Sequence, residues 1–221
     1  MYYHLIPVPF VIAGIAVYFH ARAKNNLKLV AVVQPLNTIL TMAIALLSLA
    51  APHHSTAFTL WITAGLALAL LGDFLNVDMG DQRTVIRGLV IFVFAYLVYS
   101  VGLTVHNGFH AEDLPAGAVM LLIYGGFMAY IWKGLGEMRL PVLIYGLNIA
   151  FMVTRAASTF FGETFSAAQA VLLTAGTFML FLGDMEFAVH TFRKPLKLSL
   201  GPILYGGGQL LIGLSPSYFA A

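Results

Sequence analysis

The chain has 221 residues, of which 60% are hydrophobic and only 9% are charged, and its mean hydropathy is +0.90. Since a soluble domain carries roughly 25% charged residues, this composition excludes a water-soluble globular protein and indicates an integral membrane protein. The net charge of +2 does not indicate a basic surface that would bind nucleic acid. The absence of cysteine excludes disulfides and thiolate chemistry.

Eight apolar runs, each about long enough to cross a bilayer, follow one another along the chain. They predict transmembrane helices at about 3–20, 29–50, 57–76, 85–105, 114–132, 140–160, 166–189 and 198–215. Short connections that carry turn formers and charges, such as "HARAKNNLK" and "HTFRKPLK", separate them. Because lipid cannot satisfy open backbone groups, the predicted fold class is all-α: a polytopic bundle of eight helices forming a single transmembrane domain, residues 1–221.

The basic residues orient this predicted bundle. All Lys and Arg residues except Arg155 fall in the connections after the first, third, fifth and seventh helices. The positive-inside rule makes that face cytoplasmic and places both termini outside. We therefore expect a multi-pass protein of a bacterial inner membrane. For Arg155 itself, the sequence leaves two expectations open: it snorkels outward, or it forms an ion pair with Glu163.

Two predicted helices contain a carboxylate within the apolar run, and both carboxylates follow Leu-Gly. Asp73 lies in "LLGDFL" and Asp184 in "FLGDME". A carboxylate that faces lipid costs a few kcal/mol or more, so the pair predicts a functional site near the cytoplasmic ends of helices 3 and 7. A structural pair or a polar contact at a helix end is the alternative.

The two aspartates lie half the chain apart, and other polar residues recur at a similar offset. Asn37 matches Asn148, and with a slip of two residues Tyr96 matches Tyr205. These matches predict an internal repeat, residues 1–110 and 111–221, with two parallel four-helix copies about an axis along the membrane normal. Chance matches between apolar segments are the alternative. Such symmetry would bring Asp73 to a central cavity shared with its counterpart.

Other polar side chains inside the predicted spans would be costly against lipid, and we expect them to line the same cavity. These candidate substrate-binding residues are Gln34, Asn37, Asn76, Tyr96, Tyr145, Asn148, Tyr205 and Gln209. For Asn37 and Asn148, an interhelical hydrogen bond is the alternative. Asp78 and Asp81 are expected to be solvated loop charges. The histidines are too scattered to predict a zinc site, so no metal is predicted.

Four stretches, in this order along the chain, are similar to segments of a known family. "QPLNTIL" is similar to a Lys-Pro-Leu-Pro segment, "LLGDFL" and "FLGDMEFA" to two Asp segments, and "YGGGQLLIGLS" to a Tyr-Tyr-x-x-Gln-x-Leu-Ile ending. Together they resemble the lysoplasmalogenase (YhhN-like) family of eight-helix membrane proteins, over nearly the whole chain. Gln34, Tyr96 and Gly206 depart from the family pattern, which has Lys, His and Tyr at these places.

The resemblance implies hydrolysis of the vinyl ether bond of lysoplasmalogens that bear ethanolamine or choline, which yields a fatty aldehyde and a glycerophospho-headgroup. A carboxylate pair suits this chemistry. One acid protonates the β-carbon of the alkene, and the other carboxylate steadies the oxocarbenium ion and activates water, as in glycosidases. The implied partners are a lysophospholipid substrate and membrane lipid. Neither a cofactor nor a protein partner is implied.

The residues alone also allow other classes of protein. A small proton-coupled transporter could use the same Asp pair at the interface between parallel repeats. A third hypothesis is a structural or sensory membrane protein that catalyses no reaction.

Overall fold

The computed structural model describes residues 2–75, 82–194, 196 and 199–219. The described part of the chain is helical and contains no strand, which confirms the predicted all-α class. Its eight α-helices are α1 Val8–Ala23, α2 Leu27–Leu47, α3 Thr56–Leu75, α4 Gln82–Asn107, α5 Asp113–Ile131, α6 Arg139–Ser158, α7 Ala167–Phe192 and α8 Gly201–Leu214. Short 3-10 turns extend several of them, including Tyr3–Leu5 before α1 and Ser215–Tyr218 after α8.

Seven of these helices, α1 to α7, are long and apolar enough to cross a membrane. Large apolar side chains on their outer faces, such as Phe10, Val32 and Leu122, are exposed where lipid would cover them. The chain is therefore an integral multi-pass membrane protein. The eighth helix is shorter than the predicted span at 198–215. It has 14 residues, about 21 Å of α-helix, against a hydrocarbon core of roughly 30 Å.

Local chemistry explains where several helices begin and end. The side chain of Asn26 accepts a hydrogen bond from the backbone N–H of the third residue of α2, and Ser166 caps α7 in the same way. Pro202 lies in the first turn of α8, where its missing N–H costs nothing. Pro216 lies just beyond the other end of α8 and cannot donate the next helical hydrogen bond, so a 3-10 turn replaces the α-helix there.

Glycines on α3 and α8 allow close packing of the helices that carry the aspartates. A Cβ added at Gly65 would lie 2.2 Å from the ring of Tyr99, and one at Gly72 would lie 2.7 Å from the ring of Phe92. On the other side, a Cβ at Gly208 of α8 would lie 2.7 Å from the carbonyl oxygen of α7 at position 176. Only glycine at these positions lets α3 approach α4, and α7 approach α8, closely enough for polar side chains to meet across the bundle.

The packing of α1–α4 recurs in α5–α8. α1 packs against α2 as α5 packs against α6, α2 against α3 as α6 against α7, and α3 against α4 as α7 against α8. Across the two halves, α8 packs against α2 as α4 packs against α6. Two parallel copies of a four-helix unit would produce this pattern. We therefore retain the internal repeat as a proposal.

Candidate functional site

Asp73 is fully buried, and side chains from two other helices hold its carboxylate. Gln34 of α2 donates from Nε2 to Oδ1 at 2.8 Å, and the hydroxyl of Tyr205 of α8 donates to the same oxygen at 2.5 Å. The hydroxyl of Thr38, one turn after Gln34 on α2, hydrogen-bonds Oδ2. Three donors therefore compensate a carboxylate that the surrounding protein removes from solvent.

A second layer of hydrogen bonds closes this network. Gln209, one turn after Tyr205 on α8, donates from Nε2 to the Tyr205 hydroxyl at 2.6 Å. Its carbonyl oxygen lies 2.8 Å from the hydroxyl of Thr38. Both pairs, Gln34 with Thr38 and Tyr205 with Gln209, have the i, i+4 spacing that places side chains on one helix face. Faces of α2, α3 and α8 therefore meet around one carboxylate.

Asp184 of α7 has a simpler and more open environment. Tyr145 of α6 donates to Oδ2 at 2.7 Å, and Tyr96 of α4 donates to the same oxygen at 2.9 Å. Within the described ranges, Oδ1 of Asp184 has no hydrogen-bond partner. Asp184 is half-buried and lines a cavity of about 30 Å³. The other lining residues, mostly apolar, are Tyr124, Phe127, Val142, Tyr145, Gly146, Ile149, Phe181, Met185 and Ala188. Such a volume holds about one water molecule.

The two carboxylates lie in separate but neighbouring networks. The ring of Phe92 contacts one tyrosine of each network, with its centroid 5.9 Å from that of Tyr205 and 6.0 Å from that of Tyr96. The sequence predicted one cavity shared by both acids. In the structure the cavity belongs to Asp184, while Asp73 is enclosed by its own donors. The reason is that α2 and α8 both supply long polar side chains that fill the space around Asp73.

The arrangement of the two networks follows the proposed repeat. Asp73 on α3 receives donors from α2 and α8, and Asp184 on α7 receives donors from α6 and α4. Each half of the chain thus supplies one aspartate and, from its last helix, the tyrosine that binds the aspartate of the other half.

Two predicted lining residues lie elsewhere. Asn148 donates to the backbone carbonyl of Val93 at 2.9 Å, which is the interhelical hydrogen bond expected as the alternative. Asn37 lies against α1, where a Cβ on Gly14 would be 1.9 Å from its Oδ1. Asn37 hydrogen-bonds neither aspartate among the residues the structure describes. Asn37 lies three residues after Gln34, and Asn148 lies three residues after Tyr145. Three residues are less than a full helical turn, so each asparagine side chain points toward a neighbouring helix instead of the aspartate. Asn76, Asp78 and Asp81 lie outside the described residues.

Two residues of the site were missed by sequence reasoning. Thr38 was not among the predicted lining residues, and its i+4 spacing from Gln34 was the available signal. Arg22, at the end of α1, donates to Oε1 of Gln34 at 3.5 Å. The hydroxyl of Tyr99 is buried and has no hydrogen-bond partner within the described ranges, although its ring lies between α3 and α4.

Arg155 corrects both expectations from the sequence. It is fully buried rather than snorkelling, and its partner is Asp113 rather than Glu163. Its Nε donates to the hydroxyl of Thr104 at 2.9 Å, and another nitrogen donates to the carbonyl of Gly108. The start of α5 brings Asp113 beside the last turns of α6. Arg155 lies ten residues beyond Tyr145, about 15 Å along α6 from the Asp184 network.

No group of three His, Asp or Glu side chains that could hold a metal ion is found among the described residues. The polar groups of the site are carboxyl, hydroxyl and amide groups, which suit proton transfer and hydrogen bonding.

Comparison with known proteins gives one match. The model of the YhhN family matches residues 29–216, which includes both aspartates, all of α3 to α8 and α2 except its first two residues. No curated protein and no solved structure matches the chain.

Proposed function

This chain belongs to the YhhN family, the family of lysoplasmalogenases, and we propose that it is an intramembrane hydrolase that cleaves the vinyl ether bond of lysoplasmalogens. The products would be a fatty aldehyde and a glycerophospho-headgroup. The observation that carries the proposal is the pair of aspartates inside a membrane-spanning bundle, one held by one tyrosine hydroxyl and the other by two. Such groups are costly within a membrane and are expected to have a function.

The first chemical step needs a proton donor, and we assign this role to Asp184. Two tyrosine hydroxyls hold Oδ2, while Oδ1 is left without a partner among the described residues, beside the cavity. The protonated acid gives its proton to the β-carbon of the alkene. The electron pair of the double bond forms the new C–H bond, and the ether oxygen and its attached carbon become an oxocarbenium ion.

Asp73 suits the second role, stabilisation of the positive charge. Its three donors fix the carboxylate in place and leave it no freedom to move toward a substrate atom. A fixed negative charge in a low-dielectric interior stabilises a nearby cation without reorganisation. The arrangement therefore supports electrostatic stabilisation by Asp73 rather than proton transfer.

Water then completes the reaction. Asp184, now a carboxylate, takes a proton from the water molecule that attacks the oxocarbenium carbon, which gives a hemiacetal and restores the acid. The hemiacetal hydroxyl loses its proton and its oxygen forms the carbonyl double bond, while the bond between the hemiacetal carbon and the glycerol oxygen breaks and that oxygen gains a proton, which leaves the aldehyde. Retaining glycosidases use one carboxyl group as acid and then base in a similar way. The cavity beside Asp184 has room for this water.

The alkenyl chain of the substrate would bind against the apolar wall beside Asp184. It is formed by α5, α6 and α7, with side chains such as Phe127, Ile149 and Phe181. Since the cavity holds only a water-sized group, a long chain requires these side chains to separate. The headgroup would lie toward the basic connections, which we propose to be cytoplasmic.

A lysolipid panel tests the proposal directly. Purified protein in detergent would be given 1-alkenyl, 1-alkyl and 1-acyl lysophospholipids that share one headgroup and chain length, and fatty aldehyde would be measured by mass spectrometry. We expect aldehyde from the 1-alkenyl lipid alone. Release of fatty acid from the 1-acyl lipid without aldehyde would contradict a vinyl ether hydrolase.

The geometry supports the transporter hypothesis less well than the hydrolase. Transporters with internal repeats typically bind their ions at helices that are broken near the bilayer centre. α7 continues unbroken from Ala167 to Phe192 through Asp184. Proton flux into protein-containing vesicles, with no lipid turnover, would support the transporter instead.

A further inference from the structure

We propose that a second cavity, between α5 and α6, binds a single-chain lipid with an uncharged hydroxyl head group. The cavity has a volume of about 270 Å³. Its polar end is formed by Arg155 and Asp113, and most of its other lining residues are apolar side chains of the two helices. Since Arg155 lies about 15 Å along α6 from the Asp184 network, the reaction proposed above does not use this cavity.

The length of the cavity fits one extended alkyl chain. On α5 the lining residues extend from Asp113 to Leu121, and on the antiparallel α6 they extend from Leu147 to Arg155. The two ends of each stretch are separated by about 12 Å of α-helix. An extended carbon chain advances about 1.2 Å per bond, so about ten carbon atoms reach from the ion pair to the far end.

The cavity is accessible from the lipid-facing surface of the bundle. Leu114, Leu121 and Phe151 line it and are exposed on the surface that lipid would cover. Gly117 also lines it, and the nearest atom to a Cβ added there is Cγ2 of Thr154, at 3.6 Å. A lipid chain can therefore enter laterally from the membrane, without separation of the helices around the aspartates.

The ion pair at the polar end favours an uncharged head group. Arg155 and Asp113 neutralise each other, and the carboxylate of Asp113 also accepts a hydrogen bond from the backbone N–H of His110 at 2.9 Å. An anionic head group would have to displace Asp113 from a buried guanidinium, which is costly, and a cationic one would be repelled by Arg155. A neutral head group leaves the pair intact.

The guanidinium of Arg155 has hydrogen-bond donors to spare. Of its five N–H groups, three have acceptors in the described part of the chain: the hydroxyl of Thr104, the carbonyl of Gly108 and the carboxylate of Asp113. The ring of Phe109 covers one face, with its centroid 4.5 Å from Cζ, so a further acceptor must approach at the edge. A hydroxyl oxygen can accept there, and its hydrogen can be donated to the adjacent carboxylate. A plain alkyl chain would leave these donors unpaired.

Photolabelling tests where the chain binds. Purified protein in detergent would be irradiated with decan-1-ol that carries a diazirine in mid-chain, and the labelled residues would be mapped by mass spectrometry. The variant is Gly117→Phe, whose side chain would fill the cavity. The control is Gly125→Phe on the same helix, at a position that does not line the cavity and has nothing within 4 Å of an added Cβ.

We expect the label on the lining residues of α5 and α6. Gly117→Phe should lower this labelling about tenfold or more, since exclusion of two CH₂ groups is sufficient for such a loss. Gly125→Phe should leave it unchanged. Gly117→Leu serves if the Tm shows that Gly117→Phe does not fold. Labelling that is equal in the wild type and in the folded Gly117 variant would show only contact with the lipid-facing surface and would overturn the proposal.

Competition by unlabelled ligands tests the head group. Decan-1-ol should halve the labelling at a mole fraction in the detergent about tenfold lower than decane, the scale of a hydrogen bond to a charged group. 1-Methoxydecane accepts but cannot donate, so it should be intermediate, and decanoate should compete no better than decane. Decane that competes as well as decan-1-ol, or decanoate that competes better, would overturn the proposal. Since no arm measures aldehyde release, failure of the proposed reaction would leave this site standing.

Discussion

Replacement of each aspartate by asparagine tests the proposed chemistry while it preserves the structure. At position 73, the asparagine oxygen can accept from Gln34 and Tyr205, and its amide can donate to the hydroxyl of Thr38. Thr38 in turn can give its own proton to the carbonyl oxygen of Gln209, 2.8 Å away. Every hydrogen bond of that network therefore has a donor and an acceptor after the substitution.

The asparagine at position 184 should be tolerated for a similar reason. Its oxygen can accept from both tyrosine hydroxyls, and its amide replaces the oxygen that has no partner among the described residues, beside the cavity. We therefore expect both variants to fold with a Tm close to that of the wild type. Any loss of activity can then be assigned to the loss of a proton or a charge.

We expect Asp73→Asn and Asp184→Asn each to lower kcat about 10²-fold or more, which is about 2.7 kcal/mol on the barrier. The double variant should be little worse than either single variant, because groups that act as one unit are not additive. The assay is aldehyde release from a 1-alkenyl lysophospholipid, with the exposed Glu163→Gln as a control that should be silent. Near-normal turnover by either single variant would refute the two-carboxylate mechanism.

Three further predictions concern the scaffold. Gly72→Ala should destabilise the protein by about 1–3 kcal/mol and lower its Tm, because the added Cβ would meet an aromatic ring of α4. The control is Gly125→Ala, which should leave the Tm unchanged because nothing lies within 4 Å of its Cβ. Equal Tm values for the two variants would contradict the close packing. Asp113→Asn should cost about 3 kcal/mol because it leaves the charge of Arg155 buried and unbalanced, and an unchanged Tm would show that the ion pair is not needed. A cysteine at Lys194 should resist impermeant thiol reagents in intact cells, and external labelling would reverse the proposed orientation.

The helices and the two acids were predictable because they are properties of short stretches of sequence. The length of an apolar run determines whether it can span a membrane, and a carboxylate within such a run is visible without knowledge of its neighbours. The spans and both Leu-Gly-Asp segments were therefore located from the sequence. The exception was α8, which begins at Gly201 rather than at about residue 198 and has only 14 residues.

The contacts within the site were only partly predictable. Gln34, Tyr96, Tyr145 and Tyr205 were chosen for their polarity inside spans, and the structure places all four against an aspartate. Polarity alone could not distinguish Gln34 and Tyr145 from Asn37 and Asn148. These asparagines lie three residues further along the same helices and face other neighbours. It also gave no reason to choose Thr38.

The sequence by itself therefore determined how many helices form, which of them contain acids, and which side chains are too polar for lipid. The tertiary structure alone decided that the acids occupy two networks, that Asp73 is enclosed while Asp184 faces a cavity, and that Arg155 pairs with Asp113. The physical reason is that lipid and the bundle interior are equally apolar, so a spanning helix has little hydrophobic periodicity to show which face turns inward. Rotation of each helix is set instead by close contacts, such as Gly65 against Tyr99, between residues far apart in the chain.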